Sequence, residues 1–230
     1  MLQTYIAALI AMLQTDIVAL VASYVYVFAV LVAAELLGRF VFHGSTSFTR
    51  KFVHVGVGMW VIGTVLLFKN WQMAIIPPLT FIVINYVSYR RDIFKAIQSS
   101  DKRNLGTVYF PISFALVIAL CWARPAVVLA ALMPMTWGDA LAAVIGERWG
   151  RRKYTSFGKE KSWEGSAAMF FASLASVLFV LLTGGAALAI AVGVALMVAA
   201  LATLAEAFTP LGLDNLSVPL VSAILLWLLL

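Results

Sequence analysis

Residues 135–165 read MTWGDALAAVIGERWGRRKYTSFGKEKSWEG, and this stretch decides the fold. It begins inside an apolar run, carries Asp139 within that run, and passes into a loop dense in arginine, lysine and glycine. At Lys161-Ser162-Trp163-Glu164-Gly165 the loop ends and another apolar run begins. Two apolar runs joined by a cationic loop describe a chain that crosses a membrane and turns at its surface.

The composition extends that reading to the whole chain. Of 230 residues, 63% are hydrophobic and only 11% charged, and the mean hydropathy is +1.02. A soluble domain cannot hide so much apolar side chain, whereas a bilayer takes about 20 apolar residues per helical span. The expected fold is an all-α, polytopic integral membrane protein of about eight transmembrane helices (seven to nine), with residues 1–230 forming a single transmembrane domain. The net charge of +6 is not a nucleic-acid signal, because the cations lie between spans, and no nucleic-acid partner is expected. Cys121 is the only cysteine, so no intrachain disulfide is expected. The start MLQTYIAALIAML has no basic leader, so no cleavable signal is expected either.

Spans are expected near 17–37, 52–68, 72–88, 106–122, 125–145, 166–182, 186–206 and 216–230, with Gly184-Gly185 as a tight turn. Residues 2–13 are too short to span alone, and lie at the interface or extend the next helix. This map places Arg39, Arg50 and Lys51 on one side, with Arg90, Arg91, Lys95, Lys102 and Arg103. Arg148, Arg151, Arg152, Lys153, Lys159 and Lys161 join them, so that side holds 14 of the 16 cations. The rich side is therefore expected to be cytoplasmic, in a bacterial inner membrane, or its equivalent in an organelle membrane. Eight spans leave both termini on the opposite side, and a ninth would bring the N-terminus across. Trp71 and Trp122 fall at span ends on the poor side, as interfacial residues do.

No Gly-X-Gly-X-X-Gly, zinc-ligand spacing, heptad or internal repeat is present, and two histidines with one cysteine make no His/Cys metal site. Four other constellations carry chemistry. Arg50, Lys51, His54 and Gly58 share one helical face at the start of the second span. That face reads as two snorkelling cations with a satisfied histidine, or as a phosphate clamp whose histidine orients or exchanges a proton. Asp139 is sharper: with its helix ending near Ile145, the carboxylate lies roughly 9 Å inside at 1.5 Å per residue. A carboxylate there costs a few kcal/mol unless it is paired, hydrated or coordinated. Pro134 removes a backbone donor just before it. Gly138, Ala142, Gly146 and Gly150 recur every four residues, a stripe for close helix packing.

The 146–165 loop has six cations against Glu147, Glu160 and Glu164. Topology and anionic lipid account for such a loop on their own. In favour of a ligand, Gly150, Gly158 and Gly165 permit close backbone approach, and Lys161-Ser162 precedes a helix start, where free N–H groups favour anions. Ser162 also reads as a helix cap, with Gly165 where a capping box would have Glu. The spacing is not that of a P-loop. Finally, Glu206 and Asp214-Asn215 form the last connection, on the same side as the cationic loops but without a cation. Asp214-Asn215 alone is a turn or cap; beside Asp139 and the cationic loop it completes a Mg²⁺ and polyphosphate site. Glu35 and Asp16 read as interfacial.

The residues then reach a resemblance. Arg-Lys-X-X-His at 50–54, Gly-Thr-Val-Tyr-Phe-Pro at 106–111 and Gly-Asp-Ala-Leu-Ala at 138–142 resemble one integral-membrane family. Lys-Ser-Trp-Glu-Gly at 161–165 and Asp-Asn-Leu-Ser-Val-Pro-Leu at 214–220 complete the set. It is similar to the CTP-dependent polyprenol kinases, which comprise phytol, farnesol and dolichol kinases and the CTP-dependent diacylglycerol kinases. The compact length resembles phytol kinase-like bacterial or plastid members most. More distantly, the Gly-Asp and Lys-Ser blocks resemble phosphatidate cytidylyltransferase.

The resemblance implies a kinase that uses CTP and Mg²⁺ to phosphorylate a membrane lipid alcohol such as phytol, geranylgeraniol, farnesol or a longer polyprenol. Its expected partners are the alcohol, the nucleoside triphosphate and membrane lipids; no oligomeric state is implied. Residues 146–165 would bind the nucleotide, with Lys153, Lys159, Lys161, Ser162 and Gly165 on its phosphates and Arg50 or Lys51 as a clamp. Asp139 would hold Mg²⁺ or take the hydroxyl proton, with Glu164, Asp214 and Asn215 as further metal or water ligands. His54 is the second choice of base. Two alternatives stay open: cytidylyl transfer onto a lipid phosphate, which would release pyrophosphate rather than CDP, and transport. A transporter is expected to carry ionisable residues near the midplane and repeated halves, whereas here charge crowds one face.

Overall fold

Apolar runs of this length have one way to satisfy their backbone polar groups in a bilayer, and that is to coil into helices. The computed structural model, which describes residues 2–41, 46–91 and 103–230, shows this outcome. In chain order come α1 (Leu2–Phe40), α2 (Thr46–Leu67), the single turn α3 (Trp71–Ala74), α4 (Ile76–Arg91), α5 (Gly106–Cys121) and α6 (Pro125–Met133). A π-helical turn (Pro134–Asp139) leads into α7 (Ala140–Trp149), followed by the strands β1 (Lys153–Ser156) and β2 (Lys159–Ser162). Then follow α8 (Trp163–Thr183), α9 (Leu188–Phe208) and α10 (Asp214–Leu229). Lys95 and Lys102 lie outside the described residues.

The protein is thus an all-α membrane protein with one small hairpin. Among the described residues six segments are long and apolar enough to cross a membrane, while α5 and α10 are shorter, at 16 residues each. Eight apolar segments were expected as spans; only six of them reach full length. Residues 2–13 continue the first span as one helix. The expected 72–88 span is broken at Ile75, because Pro77 and Pro78 supply no N–H and fit only in a helix's first turn. The helix expected to stop at Ile145 runs on to Trp149, where Gly150 leaves the helical region.

The axis of the bundle is the segment from Pro125 to Trp149, the most deeply buried of the spans. Helices α2, α5, α8 and α10 pack around it; α1 backs α2, α4 backs α5, and α9 lies against α8 and α10. Ile118, Leu132, Met135, Met169 and Leu226 are fully buried along this axis, while Phe28, Leu120, Phe171, Phe179 and Leu188 face outward as lipid would require. Close approach is built from small residues. A Cβ on Gly138 would come within 2.5 Å of Ser173 Oγ and 2.6 Å of Met169 Sδ, and one on Gly165 within 2.9 Å of the Ala142 carbonyl. The stripe read in the sequence is therefore the α7–α8 contact.

Two prolines inside helices have visible consequences. Pro111 cannot donate to the Thr107 carbonyl four residues back, and Asn85 Nδ2 of α4 donates to that carbonyl instead, at 2.8 Å. Pro134 opens the π turn, in which the chain gains a residue per turn, and Thr136 Oγ1 donates to the Leu132 carbonyl at 2.8 Å. Helix α2 lies directly against this turn at Gly58, where a Cβ would sit 2.5 Å from Thr136 Oγ1.

At the opposite end of the bundle Arg124 lies over the Trp227 ring, 4.3 Å from its centroid, and donates to the Trp227 carbonyl at 3.1 Å. Gly184-Gly185 makes the expected tight turn there, with Gly185 at φ +86°. Gly58→Ala is expected to overpack the α2–π-turn contact, cost about 1–3 kcal/mol, and lower the thermal unfolding midpoint in detergent. Gly193→Ala, where an added Cβ meets nothing, is the matched control expected to leave that midpoint in place.

Candidate functional site

The α7–α8 and α9–α10 connections gather at one end of the bundle with the starts of α2 and α5. Ser47 Oγ of α2 donates to Glu147 Oε2 of α7 at 2.6 Å, Ser156 Oγ of the hairpin donates to the Ala207 carbonyl at 2.6 Å, and Leu105 N donates to the Leu211 carbonyl at 3.2 Å. The convergence expected from topology is therefore present in contacts between the described residues.

At the centre of this end stands Asp139, the last residue of the π turn. Lys51 Nζ donates to its Oδ2 at 2.8 Å, with the two side chains only 21% and 14% exposed. His54, one helical turn below Lys51, donates from Nε2 to the Met135 carbonyl at 2.8 Å and lies 3.6 Å from Asp139 Oδ2. A carbonyl only accepts, so this bond fixes the histidine tautomer with its proton on Nε2. Phe110 of α5 holds the other side of the ring edge-on, with centroids 4.8 Å apart.

A second buried pair completes the site. Lys161, at the end of β2, donates to Glu206 Oε1 at 2.6 Å and also to the Glu206 backbone carbonyl. Carboxylate oxygens of Asp139, Glu206 and Asp214 all lie within 4.8 Å of one another. Asp214 Oδ1 accepts from the Asn215 N–H at 3.0 Å and its Nδ2 at 3.2 Å, and no ion pair reaches Asp214 among the described residues. Three carboxylates thus face two lysine ammonium groups. In addition, Asn215 Oδ1 is buried without a hydrogen-bond partner. Three carboxylates and an orphan oxygen acceptor, all hard oxygen donors, fit a divalent cation of the Mg²⁺ type.

The site opens onto a cavity of about 690 Å³. Arg50, Lys51, His54, Asp139, Asp214 and Asn215 form its charged mouth, and Trp60, Phe81, Phe110 and Phe114 are among its apolar walls. It lies between α1, α2, α4 and α5, so it reaches from the charged end down into the span region.

The sequence-derived set divides accordingly. Asp139, Lys51, His54, Lys161, Asp214 and Asn215 are brought together, and Arg50 lines the mouth beside them. Lys51 and Lys161, expected on phosphates, each hold a carboxylate in this structure. Ser162 is buried and caps α8, accepting from Gly165 N at 3.1 Å, while Gly165 is packed against α7. Glu164 turns away from the acidic cluster and accepts from Arg152 N at 3.2 Å. Lys153 pairs with Glu160 at 3.4 Å on the exposed hairpin, and Lys159 lies on the same hairpin outside the cavity lining.

The hairpin itself follows from Phe157-Gly158, both at positive φ, a two-residue turn that pairs Thr155 with Glu160. Glu206 is the member that sequence reasoning left in a connection. It lies two residues inside the end of α9, and the test applied to Asp139, a carboxylate within an apolar helix, would have found it.

No protein-family model matches the chain, and no solved structure matches it. Among curated proteins it is 37% identical over 206 residues to phytol kinase of Synechocystis sp., covering 88% of this chain and 87% of that protein. It is 29% identical over 203 residues to a probable chloroplastic phytol kinase of Triticum aestivum, covering 80% of this chain and 67% of that protein. The probable chloroplastic phytol kinase 1 of Oryza sativa subsp. japonica is also 29% identical over 203 residues, at 80% and 64% coverage. With this extent of similarity along nearly the whole chain, the protein belongs to the phytol kinase family, enzymes that phosphorylate an alcohol.

Proposed function

We propose that this protein transfers the γ-phosphoryl group of CTP to the hydroxyl of a prenol such as phytol, geranylgeraniol or farnesol, at the cytoplasmic-equivalent face of its membrane. The observation that carries this reading is the joining of two unlike environments. A mouth of buried carboxylates and lysines opens directly onto an apolar cavity between helices. A lipid alcohol has the same division, with one polar atom at the end of a hydrocarbon chain.

Phosphoryl transfer asks a protein mainly for positioning and charge neutralisation. Asp139, Glu206 and Asp214, with Asn215 Oδ1, would hold Mg²⁺, which neutralises charge on the nucleotide phosphates when bound. Lys51 and Lys161 lie beside these carboxylates, within reach of phosphates that approach the mouth. Arg50, on the same face of α2, supplies a further cation at the cavity rim. The nucleotide would lie over the 146–165 hairpin, whose Lys153 and Lys159 add positive potential at the surface. Of the two carboxylates that belong to both the cavity lining and the cluster, Asp139 and Asp214, we assign the hydroxyl proton to Asp139, which adjoins the α2 wall of the cavity through Lys51. His54 has its Nε2 proton committed to Met135 and acts as a positioning residue for the π turn.

Purified protein with γ-labelled CTP is expected to label phytol and geranylgeraniol, with excess unlabelled CTP competing better than ATP. Chelation abolishes the transfer and Mg²⁺ restores it. Asp139→Asn is expected to lower kcat/KM by roughly 10²–10³, the scale for losing one electrostatic contact at a transition state. Failure to label any alcohol, or an Asp139→Asn enzyme equal to wild type, would refute the assignment. His54→Gln keeps an N–H for the Met135 carbonyl, so it is expected to retain the wild-type pH–rate profile and most activity, while His54→Ala loses both stability and rate. Disappearance of one limb of that profile in His54→Gln would instead make His54 the base.

A further inference from the structure

The cavity beneath the charged mouth has a depth that can be measured along three helices. It runs from Lys51 to Thr64 on α2, from Gly106 to Ile118 on α5, and back to Pro77 on α4. At 1.5 Å per residue those α2 and α5 stretches correspond to about 18–20 Å.

Below that level the bundle is filled. Ala19, Phe68, Ala74 and Cys121 are buried together in one apolar cluster. Asp16, wholly buried, accepts from Lys69 N and Asn70 Nδ2 at 2.6 Å each, and so ties α1 to the turn after α2. The deep wall is equally fixed. Trp60 stacks on Tyr26 at 4.7 Å and donates its Nε1–H to Ser23 Oγ at 3.0 Å. Its ring covers Gly63, where a Cβ would fall 2.5 Å from it. Thr64 Oγ1 donates to the Trp60 carbonyl at 3.1 Å, so its hydroxyl proton is committed to the helix backbone.

We propose that this cavity is a length gauge for one prenyl chain, with Trp60, Thr64 and Ile118 as its floor. A chain of roughly sixteen main-chain carbons, as in the phytyl and geranylgeranyl groups, spans about 19 Å in zigzag form from C–C bonds of about 1.5 Å. With its hydroxyl at Asp139, such a chain ends at the floor. Farnesol leaves the lower part of the cavity empty, while long polyprenols meet the plug of Phe68, Ala74 and Cys121. Glycerolipids bring a second chain, which a gauge for one chain does not take. The gauge rests on the lipid-alcohol reading of the site, and its test separates the two.

The experiment compares kcat/KM for geraniol, farnesol, geranylgeraniol, phytol, a solanesol-length polyprenol and diacylglycerol in the purified protein. Wild type is expected to peak at geranylgeraniol and phytol and to fall about tenfold or more for the long polyprenol and for diacylglycerol. Thr64→Phe and Ile118→Phe raise the floor from two different helices. Each is expected to increase the farnesol-to-geranylgeraniol ratio about tenfold or more. The ratio is taken within one preparation, so a misfolded fraction cancels. A profile flat from farnesol to the long polyprenol, or floor variants that lower every alcohol in proportion, overturns the gauge. Absence of transfer to every alcohol in wild type overturns the kinase reading instead. The gauge is then read from retention of the radiolabelled prenols on the immobilised protein, by the same ratios and with the same outcomes.

Discussion

Everything at the charged end depends on the pairing of Lys51 with Asp139. An ionised carboxylate inside an apolar helix is costly, and a bilayer interior offers no water to offset that cost. The offset here comes from a different helix, 88 positions away in the chain. To deliver it, α2 must approach the π turn closely, which Gly58 permits and any larger residue would oppose. The π turn in turn follows from Pro134, and its Met135 carbonyl accepts a hydrogen bond from His54 Nε2. Sequence features that look unrelated, a proline, a glycine and a histidine, are thus consequences of one buried ion pair.

The second pair repeats the logic between the hairpin and α9. Lys161 can reach Glu206 because β2 ends directly above α8, whose N-cap Ser162 sets the direction of the chain. Three carboxylates meet two lysines and the Arg50 guanidinium, and the cluster sits where the α10 start brings Asp214 and Asn215 alongside. An arrangement of this kind is poor as pure scaffolding, since apolar residues would pack the same space at less cost.

Much of this was legible in the chain itself. Membrane class follows from composition, and the common side of the α7–α8 and α9–α10 connections and the starts of α2 and α5 follows from the distribution of lysine and arginine. Asp139 stands out because a lone carboxylate in an apolar run has few structural explanations. Other parts were not legible. Lys161, expected on phosphate, is paired with Glu206 in the structure, and partners 45 positions apart are chosen by packing, which periodicity does not encode. Glu164 looked like a ligand from its place in a motif, yet the hairpin turns it toward the Arg152 backbone. Gly165 looked available to a ligand, but the helix contact beneath it uses the space a side chain would need. The cavity is the extreme case, for it belongs to four helices and to no single stretch.

The shortness of α5 and α10 has a consequence of its own. Sixteen residues of helix span about 24 Å, some 6 Å less than a typical hydrocarbon core. Both helices begin at the charged end, where Leu105 bonds to Leu211, and a bilayer meets a span shorter than its core by thinning around it. Such thinning brings water and headgroups closer to the cavity mouth. A lipid alcohol need not be hauled upward to meet them, and once it carries a phosphate its own hydration draws it out toward the headgroups. Departure of the product is thereby driven by the charge that the reaction creates.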